Sequence, residues 1–194
     1  MPSYVYKFKA REALAETDLE YSIISIGMFL DYWGHPHIPT VLDPRKGTSV
    51  FIDLAHNFAA IPGKGETFMV FTHSTDAARF VVAMMGLTKW SSSTFFAGDR
   101  LNLKQFLERA EETKEVEFEV HYDDLESIRA GNATLPPNVK EWLPSEEWAP
   151  MFSTIAMTYL GGGFDLDMAK CHNDLFPEIK PLKVQDILNA WNGK

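Results

Sequence analysis

The sequence predicts an α/β fold, and three stretches carry that reading. Leu19 to Ile26 is eight residues dense in β-branched and aromatic side chains and closed by Gly27, the mark of a short strand buried on both faces. Phe68 to Thr72 is a second such run, followed at once by a helix whose apolar residues Ala77, Phe80, Val81, Met84 and Met85 keep three-four spacing. Val116 to Tyr122 then alternates apolar and polar directly after another helical pattern. Strands alternating with helices of this length are the pattern of an α/β sheet, in which ligands collect at the carboxyl ends of the strands.

In chain order, residues 4–17 have the spacing of an amphipathic helix, with Tyr4, Phe8 and Ala15 on one side and Lys7, Arg11 and Glu16 on or beside the other. The chain turns near Asp18, runs through the first strand to Gly27 and leaves it through the aromatic exit Met28 to Trp33. Residues 34–48 are punctuated by proline and glycine and read as a surface loop. Val50 to Leu54 is a short strand, and Ala60 to Glu66 a turn. Ser74 or Thr75 is expected to cap the helix that follows Thr72, with Asp76 in its first turn complementing the dipole.

Ser93 to Ala97 reads as a strand, and Asn102 with Gln105 as a capping box for a helix over 103–113. In the alternating strand Val116, Phe118 and Val120 face inward, and Asp123 with Glu126 forms a second capping box for a helix to Ala130, stopped by Gly131. Residues 132–144 hold three prolines and read as loop. A long apolar helix covers 145–160 and ends at Gly161-Gly162-Gly163; a last helix covers 184–191.

At 194 residues the chain is most economically one domain, with two small lobes as the alternative. Its 45% apolar and 23% charged content is that of a globular protein with a core of its own. A net charge of −9 disfavours nucleic acid and anionic membranes, both of which need a lysine and arginine surface. The single cysteine, Cys171, excludes an internal disulfide and fits a reducing compartment; together with the absence of a signal-peptide core or a membrane-length apolar run, it points to the cytoplasm.

Few motifs carry chemistry. Gly161-Gly162-Gly163 follows a helix, whereas a dinucleotide loop follows a strand, and Gly63-Lys64-Gly65 lacks the first glycine of a phosphate loop, with Phe58 in its place. Both read as turns. His35 with His37 and Cys171 with His172 lack the spacing of a zinc site, so no metal is expected. The glutamates between Glu108 and Glu126 read as a solvated face. Lys7 stands apart, because a strand ending in glycine and aromatics follows its helix. Ordinarily such a lysine is a solvated charge, but one desolvated beside a pocket can give up its proton or stabilise an oxyanion.

The order of the residues says more. Lys7-x-Lys9-x-Arg11, Leu19-x-Tyr21-Ser22-Ile23-Ile24 and Gly27-Met28-Phe29-Leu30-Asp31-Tyr32, continued by Ala60 to Thr67, Phe71 to Val81, Leu87-x-Lys89-Trp90, Gly98 to Leu101, Glu117 to Val120, Leu175-Phe176-Pro177 and Ile187 to Trp191, closely resemble the NmrA-like and isoflavone-reductase-like atypical short-chain dehydrogenases/reductases, most of all the fungal ones. The resemblance implies an incomplete Rossmann-like NAD(P)-binding fold plus an α/β substrate-binding lobe, with residues 1–90 a remnant of the Rossmann core and 91–194 the substrate lobe. It implies a reductase using NADP(H) on a hydrophobic small molecule, in which Lys7 contacts the nicotinamide ribose or substrate and helps proton transfer. Gly27, Met28 and Phe29 would run past the nicotinamide, and Phe29, Tyr32 and Trp33 would line the substrate side.

Two departures matter. Asparagine often stands in isoflavone-reductase-type members where this chain has Gly27, so a polar contact is lost. The chain also starts near the family's sixth strand, without the N-terminal strands and the glycine loop. The resemblance therefore leaves open a truncated gene model, a degenerate or regulatory relative, a partner chain that supplies the nucleotide half, or self-association through the bared edge of the first strand.

Overall fold

The computed structural model describes residues 2–42, 49–142 and 145–194. A helix α1 (Pro2–Ala15) leads through a turn to two short strands, β1 (Ile23–Ser25) and β2 (Met28–Phe29), and to the single turn of α2 (Asp31–Gly34). β3 (Ile52–Asp53), β4 (Phe58–Pro62) and β5 (Phe68–Thr72) follow, then α3 (Ser74–Met84), β6 (Ser93–Phe95), β7 (Asp99–Asn102) and α4 (Leu103–Lys114). The chain closes with β8 (Glu119–Asp123), α5 (Leu125–Arg129), α6 (Pro137–Trp142), α7 (Ser145–Leu160) and α8 (Val184–Ala190).

The strands form three small ladders. β1 lies parallel to β6; β5 is flanked by β2 in parallel and β7 antiparallel; β4 is flanked by β8 in parallel and β3 antiparallel. Parallel partners far apart in sequence, with helices between them, are the α/β arrangement that the sequence predicts. Strands from beyond residue 91 complete ladders begun before it, since β6 pairs with β1 and β7 with β5.

Side chains explain why the core sits where it does. Trp33, Phe71 and Phe106 meet edge to face or tilted at 5.4–5.6 Å between ring centres, a preferred aromatic geometry. The Trp33 indole N–H donates to the carbonyl of Ile52 (3.0 Å), and the Trp191 indole of the C-terminal segment donates to the carbonyl of Trp33 (2.7 Å). A smaller cluster stacks Phe80 of α3 on Phe96, 4.5 Å apart, with Met84 and Phe176 beside them and Ile24 of β1 packed on its edge.

Several expected elements stand as read: the strand Phe68–Thr72, the Asn102/Gln105 capping box of α4 with both of its bonds formed, Asp76 in the first turn of α3, Gly131 at φ +83 after α5, and the 145–160 helix. Others are corrected. The strand over 19–26 shortens to Ile23–Ser25 and is half-buried, because it pairs on one side alone among the described residues. The turn expected at Ala60 is the middle of β4, buried along its whole length; the chain turns at Gly63 instead, with φ +60. His73 caps α3, its imidazole accepting from the Thr75 amide.

The second capping box is displaced by one residue. Asp124 caps α5 through the Ser127 amide (2.7 Å), while Asp123 turns inward to accept from the amide and hydroxyl of Thr134. β8 starts late, at Glu119, because the Phe118 amide is taken by the Glu111 carboxylate, and Val116 stays exposed. The loop over 132–144 contains α6, opened by Pro137 at a position where a helix needs no N–H. Residues 143–144 of that loop, and 43–48 of the loop over 34–48, lie outside the described residues.

Candidate active site

The carboxyl ends of the parallel strands β1, β2 and β5 converge on residues 26–33. Gly27 makes this possible: its φ is +69, and a Cβ there would stand 2.2 Å from the carbonyl oxygen of Val70 in β5. Only a residue without a side chain lets the two backbones approach so closely. Met28 and Phe29 then pair with Phe71 and Thr72. The Thr72 hydroxyl donates to the Ile26 carbonyl (2.7 Å) and accepts from the Gly98 amide (3.2 Å), tying three segments together at the strand ends.

Beneath this crest lies a buried polar cluster. Asp31, 2% exposed, accepts from the Ser74 amide (2.7 Å), the Ser74 hydroxyl (2.5 Å) and the Thr40 hydroxyl (2.5 Å). His73 lies beside it, with Nε2 3.4 Å from Asp31 Oδ1; because its Nδ1 accepts from the Thr75 amide, the neutral ring carries its proton on Nε2. Serine, histidine and aspartate in contact suggest a hydrolytic triad, but the connectivity is wrong for one. The Ser74 hydroxyl is spent on Asp31, and the histidine faces the carboxylate rather than the serine. The cluster fixes the start of α3 against α2.

Of the residues singled out from sequence, Gly27, Met28, Phe29 and Tyr32 lie on this crest, the last three half-buried. Phe29 and Tyr32 meet edge to face at 6.4 Å. Burial raises the Tyr32 phenol pKa, and the neighbouring Asp31 carboxylate adds to the rise, so the hydroxyl stays a donor. Trp33 is 1% exposed and points into the core, where it supports the crest from below. Lys7 is exposed on α1, on the far side of the turn at residues 16–18.

Along the β1–β6 ladder is a cavity of about 550 Å³ lined by Ser25, Ser93 and Phe95 on one side and by Leu166, Cys171 and His172 on the other. Residues 171–173 are clamped onto the outer edge of β6. The Phe95 amide donates to His172 Nδ1 (3.2 Å) and the His172 amide to the Phe95 carbonyl (2.8 Å), while the Asn173 side chain exchanges both of its bonds with Ala97. The sequence does not reveal this site, because Cys171 and His172 lack metal spacing and their partners Phe95 and Ala97 lie far away in the chain. Among the described residues no group of three or more His, Cys, Asp or Glu is placed to hold a metal.

The residues present fit one end of a nicotinamide cofactor. Met28, Phe29 and Tyr32 offer a half-buried apolar edge suited to a flat ring. Neither Gly27 nor the Gly63–Gly65 turn fits its phosphates: the space at Gly27 is filled by Val70, and Gly63 and Gly65 belong to a tight turn closed by bonds to Asp123, Pro62 and Lys104.

No protein-family model matches the chain. Two fungal proteins match nearly all of it: oxidoreductase swnN of Metarhizium robertsii, 28% identical over 94% of this chain and 55% of its own length, and oxidoreductase swnN of Arthroderma benhamiae, 26% identical over 94% and 65%. Oxidoreductase BOA1 of Botryotinia fuckeliana is 39% identical over 51% of this chain. The chain thus spans only part of its relatives. Among solved structures, an isoflavone reductase superposes on 97% of the chain with a TM-score of 0.67 at 12% identity, covering 58% of the reductase. AtPrR2 with NADP+ and (+)-pinoresinol superposes on 95%, with a TM-score of 0.66 at 14% identity and 55% covered. By sequence the chain is similar to fungal oxidoreductases and by fold to an isoflavone reductase and AtPrR2, and it spans rather more than half of each.

Proposed function

We propose that this chain is the substrate-side portion of an NAD(P)H-dependent reductase acting on a hydrophobic small molecule, of the kind made in secondary metabolism. The observation that carries this reading is the likeness to fungal oxidoreductases along 94% of the chain, joined to a fold shared with an isoflavone reductase and with AtPrR2 bound to NADP+ and pinoresinol. A bound nicotinamide supplies the hydride. Met28 and Phe29 form the edge it lies against, Gly27 lets that edge approach β5, and Phe29 and Tyr32 face the substrate, with Trp33 holding them from behind. Lys7 brings the proton, or the positive charge for a developing oxyanion, from α1.

In this reading residues 1–90 are the remnant of the Rossmann core and 91–194 the substrate lobe, and the protein works in the cytoplasm. A strand of the nucleotide-binding half, in the same chain or a partner's, adds to the outer edge of β1 and brings the phosphate loop. Joining the part of the Metarhizium relative that this chain does not cover to this chain is expected to give a protein that oxidises NADPH in the presence of aromatic carbonyl substrates. Lys7→Ala is expected to lower its turnover by about a hundredfold or more, with little change in melting temperature. Undiminished turnover would remove Lys7 from the mechanism.

The exposed apolar residues of α1 (Val5, Tyr6 and Phe8) and the unshared edge of β1 favour a second reading, a non-catalytic relative that senses a ligand or binds a protein through this face. Size-exclusion chromatography separates the two. Self-association of the chain together with an inert joined protein would favour the second.

A further inference from the structure

His56, in the turn between β3 and β4, stands between two carboxylates. Its Nδ1 lies 2.8 Å from Asp53 Oδ2, and its Nε2 lies 3.2 Å from Glu141 Oε1. Asp53 is 1% exposed and accepts from the amides of Ala55 and His56 on one oxygen and of Asn138 on the other. It is an acceptor toward the ring as well, so a neutral His56 carries its proton on Nδ1. The lone pair on Nε2 is then aimed at a second acceptor, the Glu141 carboxylate, and the two need a cation between them. The His56 and Glu141 side chains are 37% and 57% exposed, so a hydrated ion reaches the gap. Ligand atoms about 2.0–2.2 Å from a tetrahedral zinc ion lie ~3.3 Å from each other, close to the separation of this pair. A buried carboxylate on the other ring nitrogen is the arrangement that fixes a metal-binding imidazole. Among the described residues only His56 has a carboxylate at both nitrogens. His121 faces Glu119 at 2.8 Å but is stacked on Phe58, and His73 is buried with its Nδ1 on the Thr75 amide.

We propose that His56 Nε2 and Glu141 Oε1 together bind a divalent zinc ion, with Asp53 holding the imidazole from behind and water filling the remaining positions. Imidazole with carboxylate is a donor set that suits zinc. Two protein ligands make an open, exchangeable site, unlike a structural zinc centre with its four. The ion ties the last turn of α6 to the β3–β4 turn, while the Asn138 amide in the first turn of α6 is already bonded to Asp53. The site is separate from the crest and does not depend on the reductase reading.

The test titrates zinc chloride into the purified chain near neutral pH, followed by calorimetry and imidazole nitrogen NMR. Binding is expected with a Kd on the order of 10–100 μM, with the His56 Nε2 signal moving and Nδ1 keeping its proton. Glu141→Gln keeps the size of an exposed side chain and removes its charge. It is expected to weaken zinc about tenfold or more, and His56→Ala further still. His121→Ala, at the other exposed histidine–glutamate pair, should leave the affinity within about twofold. Zinc at about 1 mM should raise the melting temperature of the chain by a few degrees and that of Glu141→Gln by less. Should a variant fold poorly, the nitrogen signals of the unmodified chain decide the matter. Binding weaker than about 1 mM, an unaffected Glu141→Gln, or zinc that moves the signals of His35, His37 or His172 and leaves His56 unmoved would each overturn the proposal. So would a doubly protonated His56 ring that zinc does not change. No nucleotide takes part, so the reductase reading stands or falls separately.

Discussion

α1 and β1 on one side, and the segment around Trp33 on the other, look alike in sequence: both mix aromatic and aliphatic residues in short periodic runs. In the folded chain they differ in partners. The Trp33 ring is met by Phe71 and Phe106, bonded to Ile52 and covered from outside by Trp191, so four separate segments close over it. Val5, Tyr6 and Phe8 of α1 remain 45%, 72% and 61% exposed, and β1 shares one edge with β6. Apolar pattern states what a segment can bury, whereas burial itself depends on whether other elements reach it. The contrast divides the molecule into a closed core and a face that stays exposed among the described residues.

Mutations should separate the two regions by size of effect. The largest is expected for Trp33→Ala, which leaves a cavity under the crest and removes the bond from the indole to the Ile52 carbonyl; urea unfolding should show a loss of about 3–5 kcal/mol. Gly27→Ala comes next, roughly 1–3 kcal/mol from the backbone conformation alone, with more for displacing Val70, and its amide spectrum should change along β5. A fall in stability for Gly27→Ala smaller than that of an average surface substitution would contradict the close approach of β2 and β5.

Tyr159 gives a pH test of the core. Burial raises its pKa to about 12, so it ionises in the unfolded chain near pH 10 but not in the folded one. Its contribution is complete below about pH 10 and is lost as pH rises toward 12. The urea midpoint should fall over that window, and Tyr159→Phe should flatten the fall. Phe8→Ala on α1 should be the smallest effect, within about 0.5 kcal/mol, because the ring is already in water. A cost like that of Trp33→Ala would mean that α1 packs as the core does.

Local chemistry was the most legible part of the sequence. The Asn102/Gln105 box, the stop at Gly131 and the strand before α3 depend on neighbours a few residues away. What the sequence hid depends on long-range pairing. β4 looked like a turn because Pro62 and Gly63 end it, and its pairing with β3 and β8 shows Phe58 to Pro62 as a strand. Asp123 and Asp124 are equally good caps on paper; Thr134, eleven residues on, decides between them. The crest at Gly27 was visible, although the reason for its glycine, the Val70 carbonyl, comes from another strand. The cavity wall at Cys171 and His172 was invisible because its partners Phe95 and Ala97 lie some 76 residues away.

The central claim is that the crest meets the nicotinamide while another polypeptide segment holds the phosphates. Titrating NADPH into the isolated chain, and into the chain joined to the part of its Metarhizium relative that it does not cover, tests it most directly. The account expects binding weaker than about 1 mM by the chain alone and micromolar binding by the joined protein, with amide shifts at Gly27, Met28 and Phe29. Micromolar binding by the isolated chain, or tight binding by the joined protein that leaves those three amides unmoved, would contradict it.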